Sequence, residues 1–150
     1  MNRVRSILLL LAALLGASLA QPAGTNRSVR FQAVDIFIVS NETPLAAYQL
    51  EFSVKTGDAK VVGVEGGEHP AFKDAPFYDP KAIQQERVII AAFNTTSADK
   101  LPKGKTRVAT IHLHVTGERN PDYAVKLETA ATLDGRKIIV QTAYEERKAE

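Results

Sequence analysis

From Ala47 to Val54 the chain alternates strictly: Tyr48, Leu50, Phe52 and Val54 fall on one side of an extended backbone, and Ala47, Gln49, Glu51 and Ser53 on the other. A period of two cannot form the continuous apolar stripe of a helix, so this run is a strand with one face buried and one face wet. The same texture recurs along the chain. Residues 30–39, 46–55, 59–65, 87–94, 106–116, 123–130 and 137–144 are short runs of alternating or β-branched residues, and no amphipathic helix longer than two turns interrupts them.

The connections carry reversal chemistry. Asp134-Gly135 suits a positive backbone φ, and Pro102 and Gly104 sit between two of the runs, so antiparallel hairpins are the natural links. A single sheet would leave its apolar face in water. Seven strands without intervening helices therefore predict an all-β chain folded as an antiparallel β-sandwich. The exception is residues 66–86, a long irregular segment with three prolines (Pro70, Pro76, Pro80) and three aromatics (Phe72, Phe77, Tyr78), expected to be functional or to lie down as a cover.

The amino terminus is of another kind. Two arginines, an apolar run from Ile7 to Leu15, and small residues ending in Ser18-Leu19-Ala20 read as a secretory signal peptide, residues 1–20, cleaved after Ala20. The apolar run is too short for a comfortable bilayer span, so the expectation is a secreted or periplasmic protein with no stable membrane span after cleavage. An uncleaved anchor is the alternative, although no cysteine follows the run to accept a lipid. Cleavage removes two of the 19 basic residues and none of the 17 acidic ones, leaving 17 of each. A neutral mature chain lacks the basic stripe that nucleic acid demands. About 130 residues suit one domain, and with no cysteine in the chain, packing alone must hold it. Residues 21–29 are expected to be a flexible start, 30–144 the sandwich, and 145–150 a solvated charged tail.

Three segments carry a family resemblance: residues 45–67, an alternating strand followed by a turn, a Val-rich strand and a Gly; residues 87–96 (RVIIAAFNTT); and residues 103–117 (KGKTRVATIHLHVTG). Over residues 30–144 the chain resembles cohesin domains, the nine-stranded jelly-roll sandwiches related to cellulose-binding modules. The resemblance implies jelly-roll topology with about nine strands, a bacterial source and a non-catalytic binding role. Cohesins that bind dockerins contact them through outward Asn and Asp residues on a strand whose matching positions here are Ala47 and Gln49, so dockerin binding does not carry over. The Tyr78-Asp79-Pro80 sequence, which in cohesins ends a strand, sits here in the long loop.

Candidate sites are few. In residues 106–117, Ala109, Ile111, Leu113 and Val115 are expected to face inward, which sends Thr110, His112, His114 and Thr116 outward. Two histidines on one strand supply at most half a zinc site. A third ligand, His69 or a carboxylate, is not placed nearby by the sequence, so solvated histidines and no metal are expected. Phe72, Phe77 and Tyr78 are a possible glycan-binding platform, or else a plug for the open end of the sandwich; with no Trp in the chain the plug is favoured. Glu65, Glu68, Asp74 and Asp79 contain the residue types of a glycosidase pair or a calcium site, but solvated loop carboxylates are the expectation. Asn26, Asn41 and Asn94 open Asn-x-Ser/Thr sequons.

The functional expectation is an exported binding module, not an enzyme and without a cofactor. Its protein-binding face would be Ala47, Gln49, Glu51 and Ser53. Carbohydrate (polysaccharide) binding through Phe77, Tyr78 and Phe72 is the alternative, and a structural subunit of an envelope assembly is the second. The protein is expected to be a monomer.

Overall fold

In the computed structural model, which describes residues 27–148, two four-stranded sheets face one another. The strands are β1 (Val29–Val39), β2 (Ala47–Thr56), β3 (Asp58–Gly66), β4 (Phe77–Tyr78), β5 (Arg87–Phe93), β6 (Lys105–Thr116), β7 (Asp122–Ala131) and β8 (Gln141–Glu146). One sheet runs β3-β6-β1-β8 and the other β4-β5-β2-β7, and every neighbouring pair is antiparallel. The described residues thus form an all-β antiparallel sandwich of eight strands, against the expectation of about nine. Residues 1–26, on which the expected signal peptide and most of the expected flexible start fall, lie outside the described residues, as do 149 and 150. No helix among the described residues is long and apolar enough to cross a membrane.

The core lies where alternation puts it. Tyr48, Leu50 and Phe52 of β2 meet Val34, Ile36 and Ile38 of β1, Val88 and Ile90 of β5, and Ile111, Leu113 and Val115 of β6 in one buried cluster. Strand β6 carries a bulge: Ile36 pairs with Ala109 and Phe37 with Arg107, so Val108 is the extra residue and both Val108 and Ala109 are buried. Thr110 does point outward, yet it is buried, because Asp35, Arg107 and Arg147 close over its hydroxyl.

Two boundaries differ from the sequence reading. The last strand begins at Gln141 rather than at 137: the Asp134-Gly135 reversal forms, with Gly135 at φ 81°, but only a single bridge, Ala131 to Lys137, continues the hairpin. The chain then crosses to the other sheet to pair with β1, leaving Ile139 98% exposed in the crossing. Nor is the charged end a solvated tail from residue 145 onward. Strand β8 continues to Glu146, the Arg147 amide donates to the Ala33 carbonyl at 2.8 Å, and the guanidinium grips Asp35.

The segment 66–86 folds onto the sandwich. It contains the two-residue strand β4 and two short 3-10 turns, Pro70–Phe72 and Pro80–Ala82. Phe72 is 2% exposed and meets Tyr48 edge-on at 5.3 Å, so this ring is a plug.

Candidate functional site

The outer face of β4-β5-β2-β7 brings together residues that the sequence assigned to two separate sites. On β2, Ala47, Gln49, Glu51 and Ser53 all lie on this face, with Gln49 exposed and the others half-buried. Across the ladder Ala47 is opposite Phe93, Gln49 opposite Ala91, Glu51 opposite Ile89 and Ser53 opposite Arg87. Phe77 of β4 is in turn opposite Ala91. Phe77, from the proposed glycan set, and the β2 residues of the proposed protein-binding set therefore belong to a single surface.

Its β4–β5 side is apolar. Phe77 is 70% and Phe93 65% exposed, and their rings run nearly parallel, 12° apart, with centroids 6.2 Å from one another. Ile89 is exposed below them. Charged pairs border this patch: Arg87 holds Glu51 at 3.1 Å, and Lys126 holds Glu128 at 2.7 Å on β7. The other two aromatics do not join it, since Phe72 is buried and Tyr78 is half-buried against the core. Phe93 and Ile89 went unrecognised in the sequence. In β5 Val88 and Ile90 face in and Ile89, Ala91 and Phe93 face out, but both sets are apolar, so no alternation of polarity marks the outward ones.

The histidines have separate roles. His112 Nε2 lies 3.2 Å from Glu65 Oε2 without making a hydrogen bond to it. His114 meets the exposed Phe31 edge-on at 5.8 Å, and His69 Nδ1 accepts from the Ala71 amide at 3.1 Å, capping a 3-10 turn. Among the described residues no group of three His, Cys, Asp or Glu side chains stands close enough to hold a metal ion. Two further carboxylates bind backbone: Glu68 accepts from the Arg107 amide and Asp79 from the Lys81 amide, each at 2.9 Å. Of the two described sequons, Asn41 is exposed in a turn, whereas the Asn94 side chain is occupied, donating to the Ala71 carbonyl and accepting from the Thr96 amide.

The opposite sheet carries a charged cluster with a structural effect. Asp35 accepts two hydrogen bonds from Arg147, at 2.7 and 3.1 Å, and one from Thr110 at 2.7 Å, and Arg107 Nε lies 3.9 Å away. Burial alone would raise the Asp35 pKa, but the Arg147 and Thr110 hydrogen bonds and the two guanidinium charges outweigh it and hold the carboxyl below its ordinary value. A carboxyl depressed in the folded state stabilises the fold above its unfolded pKa, and that contribution is lost as pH falls through the folded value. Arg147→Met is therefore expected to lower stability at neutral pH by about 1 kcal/mol, the half-exposed guanidinium being partly screened. The gap from the native chain should close as the pH drops below about 5. Urea titrations of both proteins across that range check this; a gap that persists in acid would place the role of Arg147 in packing rather than charge.

The fold and this face define a class, a two-sheet antiparallel β-sandwich with one outer face that is apolar toward β4 and β5 and charged toward β2 and β7. Comparison with protein-family models, with curated proteins and with solved structures found no match.

Proposed function

We propose that the protein is an exported, non-catalytic binding module that recognises a protein partner through the outer face of β4-β5-β2-β7. One observation carries the reading: exposed Phe77, Phe93 and Ile89 form an apolar patch on the β4–β5 side of the face beside small Ala47 and Ala91, and the Glu51–Arg87 and Lys126–Glu128 pairs flank it toward β2 and β7. An apolar patch with aromatic anchors flanked by charged pairs shares the makeup of a protein interface, in which aromatic side chains supply the anchors and polar groups border them. The cohesin-like, jelly-roll reading is supported by the strand alternation and by the two four-stranded antiparallel sheets, and it points to the same role. Export rests on the signal-like sequence of residues 1–20.

Carbohydrate binding is the second reading, favoured by the exposed, near-parallel Phe77 and Phe93 rings, since aromatic faces stack on pyranose rings. A structural subunit of an envelope assembly would use the same face permanently.

The test is capture on the immobilised protein, from envelope and secreted fractions of the source and, in parallel, from soluble polysaccharides. Ala47→Arg places a long charged side chain beside Phe93 and should weaken protein capture at least tenfold with the melting temperature unchanged. Retention of polysaccharide that survives Ala47→Arg but is lost in Phe77→Ala, with no protein captured, would replace the protein reading with the glycan one.

A further inference from the structure

At the end of the sheet, between the 71–77 segment and the last residues of β5, a cleft of about 240 Å³ opens beside the aromatic pair. Phe72 and Ala92, both packed on the core, lie at its inner side, and Phe77 and Phe93 stand along it. Among the described residues its lining contains one carboxylate, Asp74, and no lysine or arginine. The Asn94 amide, which also lines it, donates one N–H to the Ala71 carbonyl and accepts from the Thr96 amide.

We propose that this cleft receives a guanidinium group, the arginine side chain of the protein partner. The assignment rests on the reading of this face as a docking surface and adds the chemistry of its anchor. Aromatic rings carry negative potential on their faces and attract a cation placed over them, arginine more often than lysine because its planar head stacks. With centroids 6.2 Å apart, the near-parallel rings overlap only in part, which leaves ring face uncovered for such a contact. A carboxylate at the same mouth adds a charge-assisted hydrogen bond, bidentate in geometry for arginine.

The competing occupants fit less well. A purely aliphatic side chain would fill the apolar floor but would gain nothing from the exposed Asp74 carboxylate or from the ring faces. A hexose needs several hydrogen-bonding partners around the ring, and this lining offers side-chain partners only from Asp74 and from the one N–H and one lone pair that Asn94 does not use internally. A cation with an apolar stem uses all three features: the stem lies on the floor, the head lies on a ring, and the charge meets Asp74.

The experiment is an NMR titration of the purified protein with N-acetyl-arginine amide, and separately with N-acetyl-lysine amide, N-acetyl-norleucine amide and methyl glucoside. The arginine probe is expected to give saturable shifts at the Phe93 and Asn94 amides with a midpoint on the order of 10 mM, since one exposed side-chain analogue makes only a few contacts. Asp74→Asn should weaken it about threefold, and Phe93→Ala at least fivefold, with melting temperatures near that of the native chain. Absence of saturable shifts with the arginine probe overturns the proposal. So does an equal response to lysine or norleucine amide, or a response to the glucoside alone. If the proposal fails in this way while Ala47→Arg still abolishes partner capture, the docking face stands and only its anchor is wrong. If the arginine probe binds as expected but capture is indifferent to Ala47→Arg, the anchor stands and the docking face falls.

Discussion

Phe52→Ala is expected to destabilise the protein by about 3–5 kcal/mol, and Gln49→Ala to leave the denaturant midpoint nearly where it was. The two residues are three apart on β2, a central strand paired on both sides by β5 and β7. Phe52 is fully buried, its ring tilted 32° against Tyr123 at 5.3 Å, so truncation removes both its transfer free energy and the contacts of every neighbour left facing the void. The side chain of Gln49 points the other way, into water. Because side chains on a strand alternate with period two, a slip of one residue would exchange the two outcomes, and equal effects on the midpoint would reject the observed register. A typical domain has only about 5–15 kcal/mol of stability in total, so a loss of this size removes a large share of it.

That register was legible because water contacts only one face of β2, so the sequence had to separate apolar from polar residues at every second position. Strand β5 obeys the same rule but hides its message: Ile89, Ala91 and Phe93 are apolar although they face out, so RVIIAAF reads as a strand buried on both sides and its half of the candidate surface is not visible. Residues 137–140 show a different limit. Ile138, Ile139 and Val140 have strand propensity, but a local pattern cannot say that the chain leaves one sheet for the other there, with Ile138 still donating to the Ala130 carbonyl and β8 pairing with β1. Arg147 was read as solvated for a similar reason. Its partner Asp35 is 112 residues away in sequence and becomes its neighbour only when β8 closes against β1. Strand β4 is two residues long, shorter than any period can register, yet it delivers Phe77 to the candidate surface.

The delivery of Phe77 depends on two glycines, and Gly67→Ala is expected to lower stability by about 3 kcal/mol, at the upper end of the range for overpacking. A Cβ at Gly67 would stand 2.2 Å from the Arg107 carbonyl oxygen and 2.9 Å from Val108 Cα, and one at Gly66 would stand 2.0 Å from the Lys73 carbonyl oxygen. These obstacles are backbone, which cannot swing aside as a side chain does. Either the loop lifts from β6 or β6 itself shifts at its bulge. Lifting the loop breaks the hydrogen bond from the Gly67 amide to the Phe72 carbonyl and that from the Glu68 amide to the Arg107 carbonyl, and it draws Phe72 away from Tyr48. Gly135→Ala is the control: nothing lies within 4 Å of its added methyl, and only the left-handed φ of 81° penalises it, by about 1 kcal/mol. Urea midpoints of the two variants measure the difference. Hydrogen exchange of the Gly67→Ala protein should also show loss of protection across residues 67–78, with Phe77 displaced from Phe93 in the molecules that remain folded. If Gly67→Ala costs no more than Gly135→Ala, the segment is not seated on β6, and the surface built from Phe77 and Phe93 loses the support that fixes one of its two rings.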